Sequence, residues 1–267
     1  MTTLIATISL GVLLIAEAVA PFFIEQRRDL RRLVRHDMRN VLLGAMNMAI
    51  LAVVFAGLLA WVDGAASDRG FGVVRWLGLR GVAAWVVSLL LFDGWMYWWH
   101  RINHVVPLFW RFHRVHHSDP AMNASSGLRF HPGEIVLSGV ARMIVVPLVG
   151  VTVEQLVIYG ALTLPIVMLQ HANVCLPRWL DFGLFKSGLL VTPAMHRVHH
   201  SQIRDETNSN YSSVLAIWDR LFGSLRIRED VAKIEFGLPE FTDEQSQTVV
   251  GMLATPFVPT PQESSDR

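Results

Sequence analysis

Histidine is the residue type in this chain whose spacing can do chemistry. The clusters run HRINH (His100, His104), HRVHH (His113, His116, His117), RFHPGE (His131), LQHANV (His171) and a second HRVHH (His196, His199, His200). Of the eleven histidines only His36 lies outside residues 100–200. Side chains three or four positions apart share a helix face, with Cβ atoms roughly 5–6 Å apart, so His100 and His104 point together. In HxxHH the two later histidines flank the direction of the first. One turn could then serve two neighbouring metal ions, His113 with His116 on one and His117 on the other. His196, His199 and His200 would clamp the same pair from the opposite side. Imidazole suits zinc, copper, iron and nickel, so ligand type leaves the metal open.

The hexapeptide HRVHHS recurs at 113–118 and 196–201 with unlike residues after it, which favours two copies of one ligand geometry over a duplicated domain. His171 stands alone; a lone histidine is often a hydrogen-bonded core residue, but its place beside the others favours ligation. His131 stays open between ligand, hydrogen-bond donor to a ligand and substrate contact. His36 sits in an arginine run and reads as solvated or facing headgroups. Arg114 and Arg197, inside the repeats, stay open between headgroups and a redox partner. HRVHH lacks the glutamate of HExxH, and no nucleophile elbow or phosphate loop is present.

These clusters need elements to hold them, and composition says which kind. The 267 residues are 52% hydrophobic and 17% charged, with mean hydropathy +0.39, where a soluble domain carries about 25% charge. A formal net charge of +1 argues against nucleic acid, and a single cysteine, Cys175, leaves no internal disulfide. A bilayer-spanning helix takes about 20 apolar residues; Thr3–Ile24, Val41–Val62 and Val82–Trp99 qualify. The first has no basic residue before it and reads as a retained helix, not a signal peptide. Ile135–Leu169 is too long for one span, and Pro147 with Gly150 predicts a hairpin of two helices. Trp95, Tyr97, Trp98 and Trp99 suit a membrane interface.

The loop EQRRDLRRLVRHDMRN holds six arginines against three acids, which places it in the cytoplasm. Counting spans from there, every histidine from His100 to His200 lands on the cytoplasmic face. Asp181–Gly223 reads as a cap of short helices. The acid-rich stretch after Arg226 reads as a tail, disordered near its end.

The series DGWMYWWHRINH, WRFHRVHHSD, RFHPGE, QHANV, TPAMHRVHHS and NYSSVLAIWDRLFGS resembles the fatty acid hydroxylase/sterol desaturase superfamily of integral membrane di-iron enzymes, over roughly Val82 to Gly223. The resemblance implies an all-α polytopic membrane helix bundle, about four to five membrane helices, with a cytoplasmic helical cap holding a histidine-rich dimetal site. It divides the chain into membrane helices with a basic loop (1–80), a catalytic domain (81–225) and a tail (226–267). It implies two iron ions, O2 as cosubstrate, and hydroxylation or desaturation of a lipid C–H bond. Without a flavin or nicotinamide fingerprint, electrons would come from a separate redox partner, cytochrome b5-like or ferredoxin-like with a reductase.

Carried over by position, His100, His113, His116, His196 and His199 would hold one iron, and His104, His117, His171 and His200 the other. Some members have a further histidine where this chain has Cys175, so the second iron would lack a ligand or take one from His131 or water. Asp93, Asp119, Asn210 and Asp219 match polar positions of the family and would orient ligands, or else cap helices and form ion pairs. The rival readings are a metal transporter, whose histidines would line a midplane path, and a family member without catalysis.

Overall fold

The computed structural model describes residues 2–27 and 29–259. It is all-helical: among the described residues, strand-like pairing is confined to two isolated bridges, Pro21 with Val174 and Ser201 with Phe236. Among the described residues five segments are long and apolar enough to cross a membrane, and the chain is an integral membrane protein.

Helix α1 (Thr2–Val19) leaves Leu4, Ile8, Val12, Ile15 and Val19 exposed. Their spacing is one helix stripe, and an apolar stripe of that length belongs against lipid. The other flank of α1 packs Leu10, Leu13 and Leu14 on Ala124, Ala172 and Val174. Near its end the buried Glu17 accepts the N–H groups of Ala124 and Asn173 at 2.7 and 2.9 Å.

Helix α2 (Leu30–Ile50) starts where Asp29 accepts the Arg32 N–H at 3.0 Å. The arginine run expected as a loop is therefore mostly helical. Through a π-turn at Leu51–Phe55, α2 continues into α3 (Ala56–Asp68), so the second span is longer than Val41–Val62. After the short α4 (Val73–Trp76), α5 (Gly81–Val105) carries the third span past Trp99 to include His100 and His104. Pro107 then opens α6 (Pro107–His117), which holds the first HRVHH; proline suits a helix's first turn because its missing N–H is not needed there.

The expected hairpin is present as α7 (Pro132–Val149) and α8 (Val153–His171). The break falls at Gly150, whose φ of 85° is open to glycine, while Pro147 stays inside α7. Gly139 of α7 faces Phe55 of the π-turn so closely that a Cβ there would clash with the ring. Beyond α8 comes the cap: α9 (Arg178–Ser187), α10 (Pro193–His199) with the second HRVHH, α11 (Arg204–Thr207) and α12 (Ile217–Leu221).

The stretch expected as an acidic tail is packed. In α13 (Val249–Ala254), Met252 is fully buried against Leu43 and Val115, and Gln247 accepts from Arg129 at 2.8 Å. Charge composition hid apolar residues with partners on α2 and α6. Of the stretch expected to be disordered, 256–267, Pro256 is instead buried in a 3-10 turn at Thr255–Phe257, and 260–267 lies outside the described residues. Long-range bonds gather the helix ends that bear chemistry: Asn40 donates to Ser125 at 3.0 Å, and Asn173 donates to the Phe23 carbonyl at 3.0 Å. The arginine run and the histidine clusters thus share one end of the bundle.

Candidate metal centre

Nine histidines converge in two adjacent groups. His100, His104, His113, His117 and His199 form one, and His116, His171, His196 and His200 the other; within each group the ligand nitrogens all lie within 4.8 Å of one another. The groups touch where the rings of His117 and His200 stack, 4.4 Å apart.

This division differs from the one expected. His116 and His196 join His171 and His200, while His104 and His117 join His100, His113 and His199, so each HxxHH splits by a different rule. The reason is angular: at 3.6 residues per turn the i+4 position is about 40° from i, whereas i+3 is about 60° away on the other side. The i,i+4 pairs His100/His104, His113/His117 and His196/His200 therefore each stay within one group. The i+3 histidines, His116 and His199, cross to the other.

Hydrogen bonds set which ring nitrogen faces inward. His100, His171 and His199 each place Nδ1 2.7 Å from a carbonyl, those of Tyr211, Val167 and Ser209. A carbonyl only accepts, so Nδ1 carries the proton and Nε2 presents its lone pair. His113 Nδ1–H donates likewise to Glu134 Oε1 at 3.0 Å. In the four-histidine group, Nε2 of His171 lies 3.0 Å from Nε2 of both His116 and His196, and His200 Nε2 is 3.1 Å from that of His196. Nitrogens about 2.0–2.1 Å from one ion, near right angles, would lie about 3 Å apart. Both ring nitrogens of His117 and Nε2 of His199 are buried without a hydrogen-bond partner. Converging lone pairs and orphaned nitrogens are the arrangement a cation satisfies, and the residues fit a bound metal pair.

Electrostatics favours the ligating form. Burial, then neighbouring imidazoles, hold His116, His117, His196 and His200 well below the ordinary histidine range. Burial, partly offset by the Ser209 carbonyl, pushes His199 down to about 3. All five stay neutral at physiological pH, the form that binds metal.

The other expected site residues take different places. His131 enters neither group. It caps α7, accepting the Gly133 N–H on Nδ1 at 2.8 Å, and its Nε2 faces the Leu253 carbonyl at 3.2 Å. Cys175 is exposed and in neither group. Asp93 accepts from Tyr159 Oη at 2.7 Å, Trp218 Nε1 at 2.8 Å and Leu215 N at 3.3 Å, tying α5 to α8 and α12. Asp219 accepts the N–H groups of Tyr211 and Ser212 at 2.8 and 2.9 Å. Asn210, at φ 55°, donates to the Met195 and Arg226 carbonyls. Together these two residues fix the segment whose Ser209 and Tyr211 carbonyls orient His199 and His100.

Asp119 receives His36 Nε2 at 2.9 Å and Ser126 Oγ at 2.6 Å. His36 is thus no solvated side chain, because α2 carries it onto the loop after α6. Burial alone would raise the Asp119 carboxyl, but His36 and Arg129 hold it well below the usual carboxylate range. The repeat arginines face neither headgroups nor a partner. Both are fully buried: Arg114 bonds the Thr255 and Val258 carbonyls, and Arg197 those of Ala172 and Val174 at 3.1 and 3.0 Å. Sequence reasoning missed Glu134; its only local signal was lying within RFHPGE.

A cavity of about 550 Å³ runs from this centre between the membrane helices. His100, His113, His116, His171 and His196 line its polar end, while Leu59, Phe92, Leu156 and Val157 line its depth. Aromatic rings close over the histidines: Phe130 stacks on His116 at 4.4 Å, and Trp110 packs 5.1 Å from His104.

Known proteins share this region. The chain is 31% identical over 172 residues to the ornithine lipid hydroxylase OlsE of Rhizobium tropici, covering 64% of this chain and 50% of that one. Alkylglycerol monooxygenase of Homo sapiens is 30% identical over 159 residues, 58% of this chain and 33% of its own. Cholesterol 25-hydroxylase of Rattus norvegicus is 25% identical over 166 residues, 62% and 54% respectively. The chain thus spans between a third and about half the length of these relatives. No solved structure gives a significant match. The family model described as fatty acid hydroxylase matches residues 85–224, from within the first turns of α5 to just past α12, and the chain belongs to that family.

Proposed function

We propose that the chain is a membrane-embedded hydroxylase that holds two iron ions in its two histidine groups and oxidises a C–H bond of a lipid with O2. The observation that carries this reading is the cavity, whose apolar length ends on histidines drawn from both groups. The names of the relatives, hydroxylases and a monooxygenase of lipid compounds, support it. The overall balance is C–H plus O2, two electrons and two protons giving C–OH and water.

Bound iron would supply O2 activation and C–H cleavage, which no side chain in the site can perform. The chain's own residues do the rest. Glu134 and the carbonyls of Tyr211, Val167 and Ser209 fix the imidazole tautomers. Phe130, Trp99 and Trp110 keep water from the reacting end. The cavity aligns an apolar chain against the histidines. Electrons come from a separate partner docking at the histidine end. That end faces the cytoplasm, since the arginine run lies there.

The test is the purified protein from iron-replete cells, reconstituted in membrane lipid with a chemical reductant and isotopically labelled O2. A lipid alcohol carrying the label is expected, and its loss in His196→Ala. A fully iron-loaded protein that labels no lipid overturns the reading.

A further inference from the structure

One charged side chain in the cavity has no part in the metal centre. Arg142 lies in the membrane span α7 between the exposed Val140 and Ile144, and lines the same cavity as the histidines. Its Nε is buried without a hydrogen-bond partner. Among the described residues its guanidinium meets no carboxylate, and it lies over the Phe92 ring at 6.0 Å. Asp93, next to Phe92 in the chain, is engaged by Tyr159, Trp218 and Leu215. An ionisable residue at membrane depth is costly and marks a site whose partner should be named. Arg142 lines the lipid cavity beside Tyr159.

The cavity's shape limits what can sit there. Its lining on α8 runs from Val153 to His171, about 27 Å of helix. A volume of about 550 Å³ falls in the range of about 300–1,000 Å³ typical of sites that enclose a small ligand. Glu134, bonded to His113, marks the metal end of α7. Arg142 lies eight residues further along, about 12 Å down the axis.

We propose that Arg142 is an anion subsite. The lipid it selects is an amphiphile whose carboxylate or phosphate pairs with Arg142, while the carbon to be oxidised reaches the histidines about 12 Å away. Pairing removes the cost of an uncompensated guanidinium in a low-dielectric site, and it fixes which carbon meets the metals. The inference rests on the lipid-hydroxylase reading for the reaction, but binding is measured without turnover.

The experiment is equilibrium dialysis of the metal-loaded protein in detergent against palmitate, hexadecyl phosphate and hexadecanol. One or both anions should bind about tenfold or more tighter than the alcohol, as one charge-assisted hydrogen bond allows; which of them gains distinguishes carboxylate from phosphate. Arg142→Gln should erase that preference and Arg142→Lys should keep part of it, with metal content unchanged in both as the check on folding. Equal binding of all three probes by the wild type overturns the subsite, as does an anion preference that survives in Arg142→Gln. An intact preference in protein that hydroxylates nothing supports the subsite and counts against the reaction instead.

Discussion

The Nδ1–H of His113 donates to Oε1 of Glu134 across 3.0 Å, joining α6 to α7 at the polar end of the cavity. A carboxylate behind a metal-binding imidazole fixes its orientation and raises its basicity. Glu134→Gln keeps an acceptor but loses the charge, and metal affinity should fall about 10–100-fold. Competition with a chromophoric chelator measures it. Wild-type affinity in this variant would mean that the charge of Glu134 does not support His113 as a ligand.

Asn210 holds the segment that orients two histidines, and does so at φ 55°, where a Cβ costs about 1–2 kcal/mol. Both Asn210→Gly and Asn210→Ala lose the side chain's hydrogen bonds. The alanine variant should unfold at lower temperature than the glycine variant, by about 1 kcal/mol. Equal stability of the two would remove backbone strain from the account.

In the metal-free protein His199 stays neutral when folded down to a pH of about 3. Once unfolded it takes up a proton below its ordinary value of about 6.5. The unfolded state therefore binds more protons between those limits, so stability falls as pH drops through that window, by about 1.4 kcal/mol per unit for this side chain. Thermal unfolding of the metal-free protein at stepped pH checks the sign; a flat profile between pH 7 and pH 5 would contradict it.

Gly160 of α8 lines the cavity, and a Cβ there meets nothing within 4 Å. It lies eleven residues before His171, about 16 Å from the metal end. Gly160→Phe should fill the channel just beyond Arg142, cutting product from every chain length of a substrate anchored there. Product yields over a chain-length series read this directly, and unaltered yields would place the substrate elsewhere.

Much of the bundle was legible because span length and proline-glycine breaks act locally. Gly150 ends α7 where expected, and the histidine clusters fall at helix ends as the hydropathy implied. What failed depended on distant partners. His36 reads as a surface residue until α2 lays it on Asp119, and Met252 reads as tail until it meets Leu43 and Val115. Arg114 and Arg197 look like surface charges, yet each serves backbone carbonyls that only the folded chain brings near. The division of the histidines was within reach of helix angles alone, since i+4 lies closer in direction to i than i+3 does.

That division is open to one direct measurement, the metal content per chain of a double variant. His116 and His171 share the four-histidine group here, whereas a division by family position would put them on different ions. With metal in excess, the wild type should carry about two ions per chain, one per histidine group. The His116→Ala, His171→Ala double variant should keep about one, bound as tightly as before by the five-histidine group. Loss of both ions, or weakening of both together, would contradict the two-group centre.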